Sequence, residues 1–158
     1  MSEALWVESY QGEVFGETLF GAMAELETDP DHRHKLEVLT VLERSTKELA
    51  EPLFERHGWD LGNTDGTVAS TTELAPALSA QSWDEFVRPI TPVASTVLAK
   101  YRELVATTED ADDRAVAEAY VEHELALVAF AQRELGDEEG DPLSPILAVP
   151  HVARALQH

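Results

Sequence analysis

The sequence has no cysteine among its 158 residues. That removes disulfides, thiolate metal sites and cysteine nucleophiles together. It leaves the redox compartment open, with the cytoplasm as the expectation. Cations are scarce too: 11 Lys and Arg stand against 31 Asp and Glu, a formal net charge of −20. Phosphate backbones are gripped by clustered Lys and Arg that displace counterions. Nucleic acid is therefore not an expected partner, nor is an anionic membrane surface. The acids are spread along the chain rather than gathered into one tail, as befits a solvated surface or one hydrated in a salt-rich milieu. No apolar run approaches the length that spans a bilayer. The start, Met1-Ser2-Glu3-Ala4-Leu5, lacks the basic and apolar segments of a signal peptide. Gly-rich phosphate loops, nucleophile elbows and His-Glu-x-x-His motifs are all missing, and "DEEGD" (137–141) does not match an EF-hand loop.

What is present is enough apolar material, 44% of residues, to build one core. The length fits a single helical domain over 1–158. Residues 5–27 read as a first helix, with Trp6, Tyr10, Val14, Phe20 and Ala24 on one face. A second ridge, Phe15, Leu19, Ala22 and Leu26, lies opposite and is expected to meet a long loop or another subunit. "TDPD" (28–31) turns the chain, with Asp29 or Asp31 as the next cap. Residues 31–57 follow as a second helix, kinked at Pro52 and ended by Gly58. Residues 58–81 read as a long connection with a short helical turn at 73–79. "SWDE" (82–85) is a capping box and opens a third helix over 83–106. Its stripe includes Val93, Val97 and Tyr101. Pro89 and Pro92 interrupt it, and Thr91 is expected to cap a restart. Residues 113–135 make a fourth helix closed by Gly136. An extension over 137–158, expected to pack on the bundle, carries one short helix at 150–157. The pattern is all-α: a four-helix bundle with one long crossover between its second and third helices.

The chemistry rests on polar residues that fall inside apolar stripes. They are Glu13 and Glu17 on the first helix, Glu43 and Thr46 on the second, Tyr101 on the third, and Tyr120, His123 and Glu124 on the fourth, with Glu134 further on. Buried carboxylates need a partner, water or a bound ion. His123 and Glu124 are adjacent, so their side chains diverge by about 100°. His32, His34 and His57 sit at helix ends and carry little signal. His151 and His158 fall in a tail that the sequence leaves mobile.

On helix order, crossover position and inward carboxylates, residues 6–136 resemble the ferritin-like superfamily of rubrerythrins, bacterioferritins and di-iron oxidases. The family pattern is Glu on helix 1, Glu-x-x-His on helix 2, Glu on helix 3 and Glu-x-x-His on helix 4. The resemblance implies Glu13 or Glu17 as the helix 1 ligand and Glu43 as the helix 2 ligand. Thr46 stands where the helix 2 histidine belongs, helix 3 offers no acid, and both Glu-x-x-His motifs are missing. What is implied is a reduced site for one iron or manganese ion, drawn from Glu13, Glu17, Glu43, His123 and Glu124, rather than a full di-iron centre. The resemblance would fit oxidation by dioxygen or peroxide. Two other readings compete with it. One is a non-enzymatic bundle that dimerises through Phe15, Leu19 and Leu26. The other is a small-molecule binder with a pocket lined by Trp6, Tyr10, Thr46, Tyr101 and Tyr120.

Overall fold

A computed structural model describes residues 2–157. Among them there are eight helices and no strand: α1 (Glu3–Leu26), α2 (Pro30–His57), α3 (Thr64–Ser79), α4 (Trp83–Val87), α5 (Ile90–Thr107), α6 (Ala111–Glu134), α7 (Ser144–Leu147) and α8 (Pro150–Leu156). His158 lies outside the described residues. The described residues are all-α, and no helix among them is long and apolar enough to cross a membrane. Local signals set several boundaries. The Asp29 carboxylate accepts from the amides of Asp31 and His32 at the start of α2. Ser82 and Glu85 form the reciprocal capping box of α4. Gly58, at φ +65°, ends α2 in a left-handed conformation that side chains resist.

Packing follows the order of connection. α1 lies against α2 and α3, α5 against α6, and α2 also meets α6, α7 and α8. The apolar core is in two parts. One gathers Leu19, Phe20, Leu39, Phe130, Ile146 and Val152. The other gathers Trp6, Tyr10, Leu53, Phe54, Leu104 and Tyr120. Along α1, α2 and α6 the boundary between them falls near residues 13–16, 43–46 and 123–124. A polar layer therefore crosses the middle of the protein, between two hydrophobic halves.

Several expectations need correction. Residues 64–79 are a full helix, α3, rather than a connection with one turn. Its threonines satisfy their own hydroxyls on carbonyls one turn back, as Thr71 does on Thr67 and Thr72 on Val68. Only Thr71 and Ala75 are buried, which is why no stripe is legible. α3 lies on α1, so the crossover itself covers part of the second ridge. Leu19 is buried within this chain, while Phe15 and Leu26 remain exposed. The third helix is two helices, and α5 begins at Ile90 without a side-chain cap from Thr91. Pro92 sits in its first turn, where amides have no helical acceptor to lose. Val93, assigned to the buried stripe, is 62% exposed. The extension is packed, as expected, but His151 is not in a mobile tail: it is buried together with Ile146 and Val152. α2 continues through Pro52 to Gly58, as expected.

At the far end of α2, Arg56 and His57 both pair with the buried carboxylate of Asp113 in the first turn of α6, His57 Nε2 at 2.7 Å. Asp113→Ala is expected to lower stability by about 1–3 kcal/mol in urea unfolding, the usual effect of losing charge-assisted bonds. An unchanged midpoint would show that this pairing does not hold α2 to α6.

Candidate metal centre

The polar layer is assembled from four helices. Glu13 comes from α1, Glu43 and Thr46 from α2, Tyr101 from α5, and Tyr120, His123 and Glu124 from α6. All seven are buried, and His123 is completely so. His123 Nε2 lies 3.2 Å from Glu43 Oε1 and 3.9 Å from Glu124 Oε1. Its Nδ1 is 3.0 Å from Thr46 Oγ1 and 3.2 Å from Glu13 Oε2. The contact to Glu13 lacks hydrogen-bond alignment, and Glu13 Oε2 is left buried with no hydrogen-bond partner. The other oxygen, Oε1, accepts from Tyr101 Oη at 3.3 Å. Tyr101 in turn stacks on Tyr120, with ring centroids 4.8 Å apart. The Tyr120 hydroxyl is also buried and unpartnered.

Two features make this packing possible. Gly16 stands against the Glu43 carboxylate so closely that a Cβ there would come within 2.6 Å of both its oxygens. Glycine at this position opens the space that Glu43 fills. Thr46 anchors the imidazole from the other side. Its hydroxyl is 2.8 Å from Leu42 O and 2.8 Å from His151 Nε2. A threonine hydroxyl has one hydrogen and two lone pairs. When it donates to Leu42 it accepts from His123 Nδ1 and His151 Nε2. That arrangement fixes the proton on His123 Nδ1 and turns Nε2 toward the carboxylates, as for a histidine ligand held by an outer partner.

The electrostatics are those of an uncompensated acidic cluster. Three carboxylates face one imidazole, and among the described residues no Lys or Arg ion-pairs with Glu13, Glu43 or Glu124. Burial pushes Glu13 well above the ordinary carboxyl range, and the charge of Glu43 beside it adds to this. Burial raises Glu124 to about 7, with His123 opposing and Glu43 reinforcing the shift. Burial alone would lower His123, but the charge and hydrogen bond of Glu43, with Glu124 behind them, carry it above its usual value. His151 is held down at about 4 by burial and by the neighbouring His123 and Arg154.

The cluster opens on one side. A cavity of about 390 Å³ reaches Glu13, Glu43, Glu124 and Tyr101, and its walls are otherwise chiefly apolar, including Phe15, Phe86 and Val97. A wider groove of about 530 Å³ between α1 and α2, lined by Arg33, Glu37 and Arg44, lies away from these groups.

The sequence-derived candidates divide accordingly. Glu13, Glu43, His123 and Glu124 come together. Glu13, His123 and Glu124 each offer a donor atom within 4.8 Å of the others. The adjacent pair on α6 converges because both side chains are enclosed in one layer. Glu17 does not take part: it points away from the layer and pairs with Arg44 at 3.0 Å and Lys47 at 2.6 Å. Tyr10 also stands apart, bonded to Glu51 and packed on Phe54. Glu134 binds Lys35 and the Trp83 indole instead of the cluster. His151 was the missed residue. Its position after Pro150 hid it, since nothing in a proline-broken tail reveals which core it will enter.

The residues present suit one metal ion. An orphaned buried carboxylate oxygen, a glycine that makes room for a second carboxylate, and an oxygen-rich donor set with one imidazole all fit iron, manganese or zinc. No family model, curated protein or solved structure matches the chain.

Proposed function

We propose that this protein is a ferritin-like four-helix bundle, formed by α1, α2, α5 and α6, that holds one iron or manganese ion. The observation that carries the reading is Glu13 Oε2, buried and unpartnered beside two further buried carboxylates and a single imidazole. Left alone, that group must take up protons. A divalent cation would satisfy it and balance the charge. Glu13, Glu43 and Glu124 would hold the ion, with His123 through Nε2. Tyr101 orients Glu13 through its hydrogen bond, and Thr46 with His151 orients His123. The apolar walls of the adjoining cavity limit the entry of water. A redox-active ion bound there would supply electron transfer to dioxygen or peroxide.

The layout supports the bundle: two long helices, a crossover that contains α3, and two more long helices. It departs from the superfamily pattern in that α5 contributes Tyr101 instead of an acid. Where a helix 2 histidine would stand, Thr46 reaches out to His151 of α8.

Metal content by mass spectrometry tests the proposal, on tag-free protein loaded anaerobically with ferrous iron, manganese or zinc. One equivalent is expected, lost in Glu43→Ala and in His123→Ala and kept in Glu17→Ala. A folded protein that takes up none of the three ions would refute it.

A further inference from the structure

The cavity beside the cluster has the character of a ligand site in its own right. Its volume lies within the range of small-molecule pockets, and such pockets are mostly apolar with a few convergent polar groups. Here the polar groups share one chemistry. Glu13, Glu43 and Glu124 are carboxyl groups, which ionise against a bound cation, and Tyr101 Oη stands beside them. No cation lines that end. Phe15, Leu19, Phe86, Val93 and Val97 line the apolar remainder. Glu13, whose Oε2 lacks a hydrogen-bond partner just behind the surface, is one of the lining residues.

We infer that the cavity binds a small primary amine with an apolar tail. Its ammonium group would sit against Glu13 and Glu124, and its tail would lie between α1 and α5. Charge settles the choice of head group. An ammonium donates hydrogen bonds and compensates the carboxylates, a hydroxyl can donate one hydrogen bond but brings no charge, and a carboxylate is repelled. An alkylamine, like the lysine side chain, is protonated at neutral pH. Gly12 lies on the cavity wall, its missing Cβ 3.8 Å from Tyr101 Oη, so the approach to the carboxylates is not obstructed by a side chain from α1. The inference concerns the metal-free protein and stands whether or not an ion binds. If one does, amine and ion compete for the same carboxylates.

The test is calorimetric titration of metal-free, tag-free protein with n-octylamine, n-octanol and octanoate, at physiological ionic strength to screen the acidic surface. One equivalent of amine is expected, at least tenfold tighter than the alcohol, with no binding of octanoate. Gly12→Leu places a side chain in the cavity at an exposed helical position that tolerates it, and should weaken the amine at least tenfold with the melting temperature maintained. Glu124→Gln should weaken the amine and leave the alcohol unchanged. Octanoate binding as tightly as the amine would overturn the inference, as would many weak equivalents indifferent to Gly12→Leu. Light scattering of the same samples covers the remaining occupant: a dimer dissolved by Phe15→Glu would place a second copy of the chain in the cleft and exclude the amine.

Discussion

Metal-free protein loses stability as the pH rises from about 4.5 through 7, and Glu124→Gln removes much of that slope. In the unfolded chain Glu124 titrates at its ordinary 4.5, whereas in the fold burial holds it at about 7. Between these values the folded state keeps a proton that the unfolded state has released, so stability falls with pH. The interval corresponds to roughly 3 kcal/mol for this residue, or a fall of about 10 °C in melting temperature for a domain of this size. Glu13 acts in the same direction, since it too is raised by burial and by Glu43. His123 adds to the trend: its contribution is complete below its unfolded value of 6.5 and is lost as the pH passes its raised folded value. Repulsion among the surface acids gives a background slope of the same sign, so the informative quantity is the difference between wild type and Glu124→Gln across the range. Parallel profiles would mean that Glu124 is not buried in its charged form. A bound cation holds the carboxylates deprotonated without that penalty, so one equivalent of manganese should flatten the wild-type profile.

The helical reading succeeded where the apolar period is strong, and the site was legible for the same reason. Glu13, Glu43 and His123 could be singled out because each interrupts a stripe of large apolar residues, and a polar residue in such a stripe must be buried. Glu17 was misassigned because it lies only one turn from Glu13, and one sequence cannot tell which of two neighbouring carboxylates turns outward. Arg44 and Lys47, which settle the matter by pairing with it, are on another helix. α3 was hidden because it buries only one flank with small residues. His151 depends on a long-range contact of a short helix, for which there is no local signal. Nor does the sequence show what Gly16 packs against. Its partner is a carboxylate, a fact that depends on the register of α1 against α2.

That register makes Gly16→Ala and Gly12→Ala opposite in effect, although both replace a helical glycine by the best helix former. Each substitution favours the helix by about 1 kcal/mol. At Gly12 the added methyl meets only Tyr101 Oη, at an ordinary 3.8 Å. A gain of about 1 kcal/mol, seen as a rise of a few degrees in melting temperature, is expected there. At Gly16 the methyl would stand within 2.6 Å of both Glu43 oxygens, so the carboxylate must leave its place. It has nowhere equivalent to go: leaving its place costs it His123 Nε2, and the space open to it is the apolar-walled cavity, which offers no cation in exchange. Overpacking of this kind costs about 1–3 kcal/mol, more than the helix gains, so Gly16→Ala should melt below wild type and below Gly12→Ala. Its effect on the cluster is the more specific result. With Glu43 displaced, His123 loses the partner that raises it, and its titration, followed by NMR, should shift downward. Metal stoichiometry should fall as it does in Glu43→Ala, although every ionisable residue is still present. A Gly16→Ala protein as stable as Gly12→Ala, with His123 titrating as in wild type, would mean that α1 and α2 are not in the register that builds this cluster. The metal reading would fall with it, because Glu13 and Glu43 share one layer only in that register.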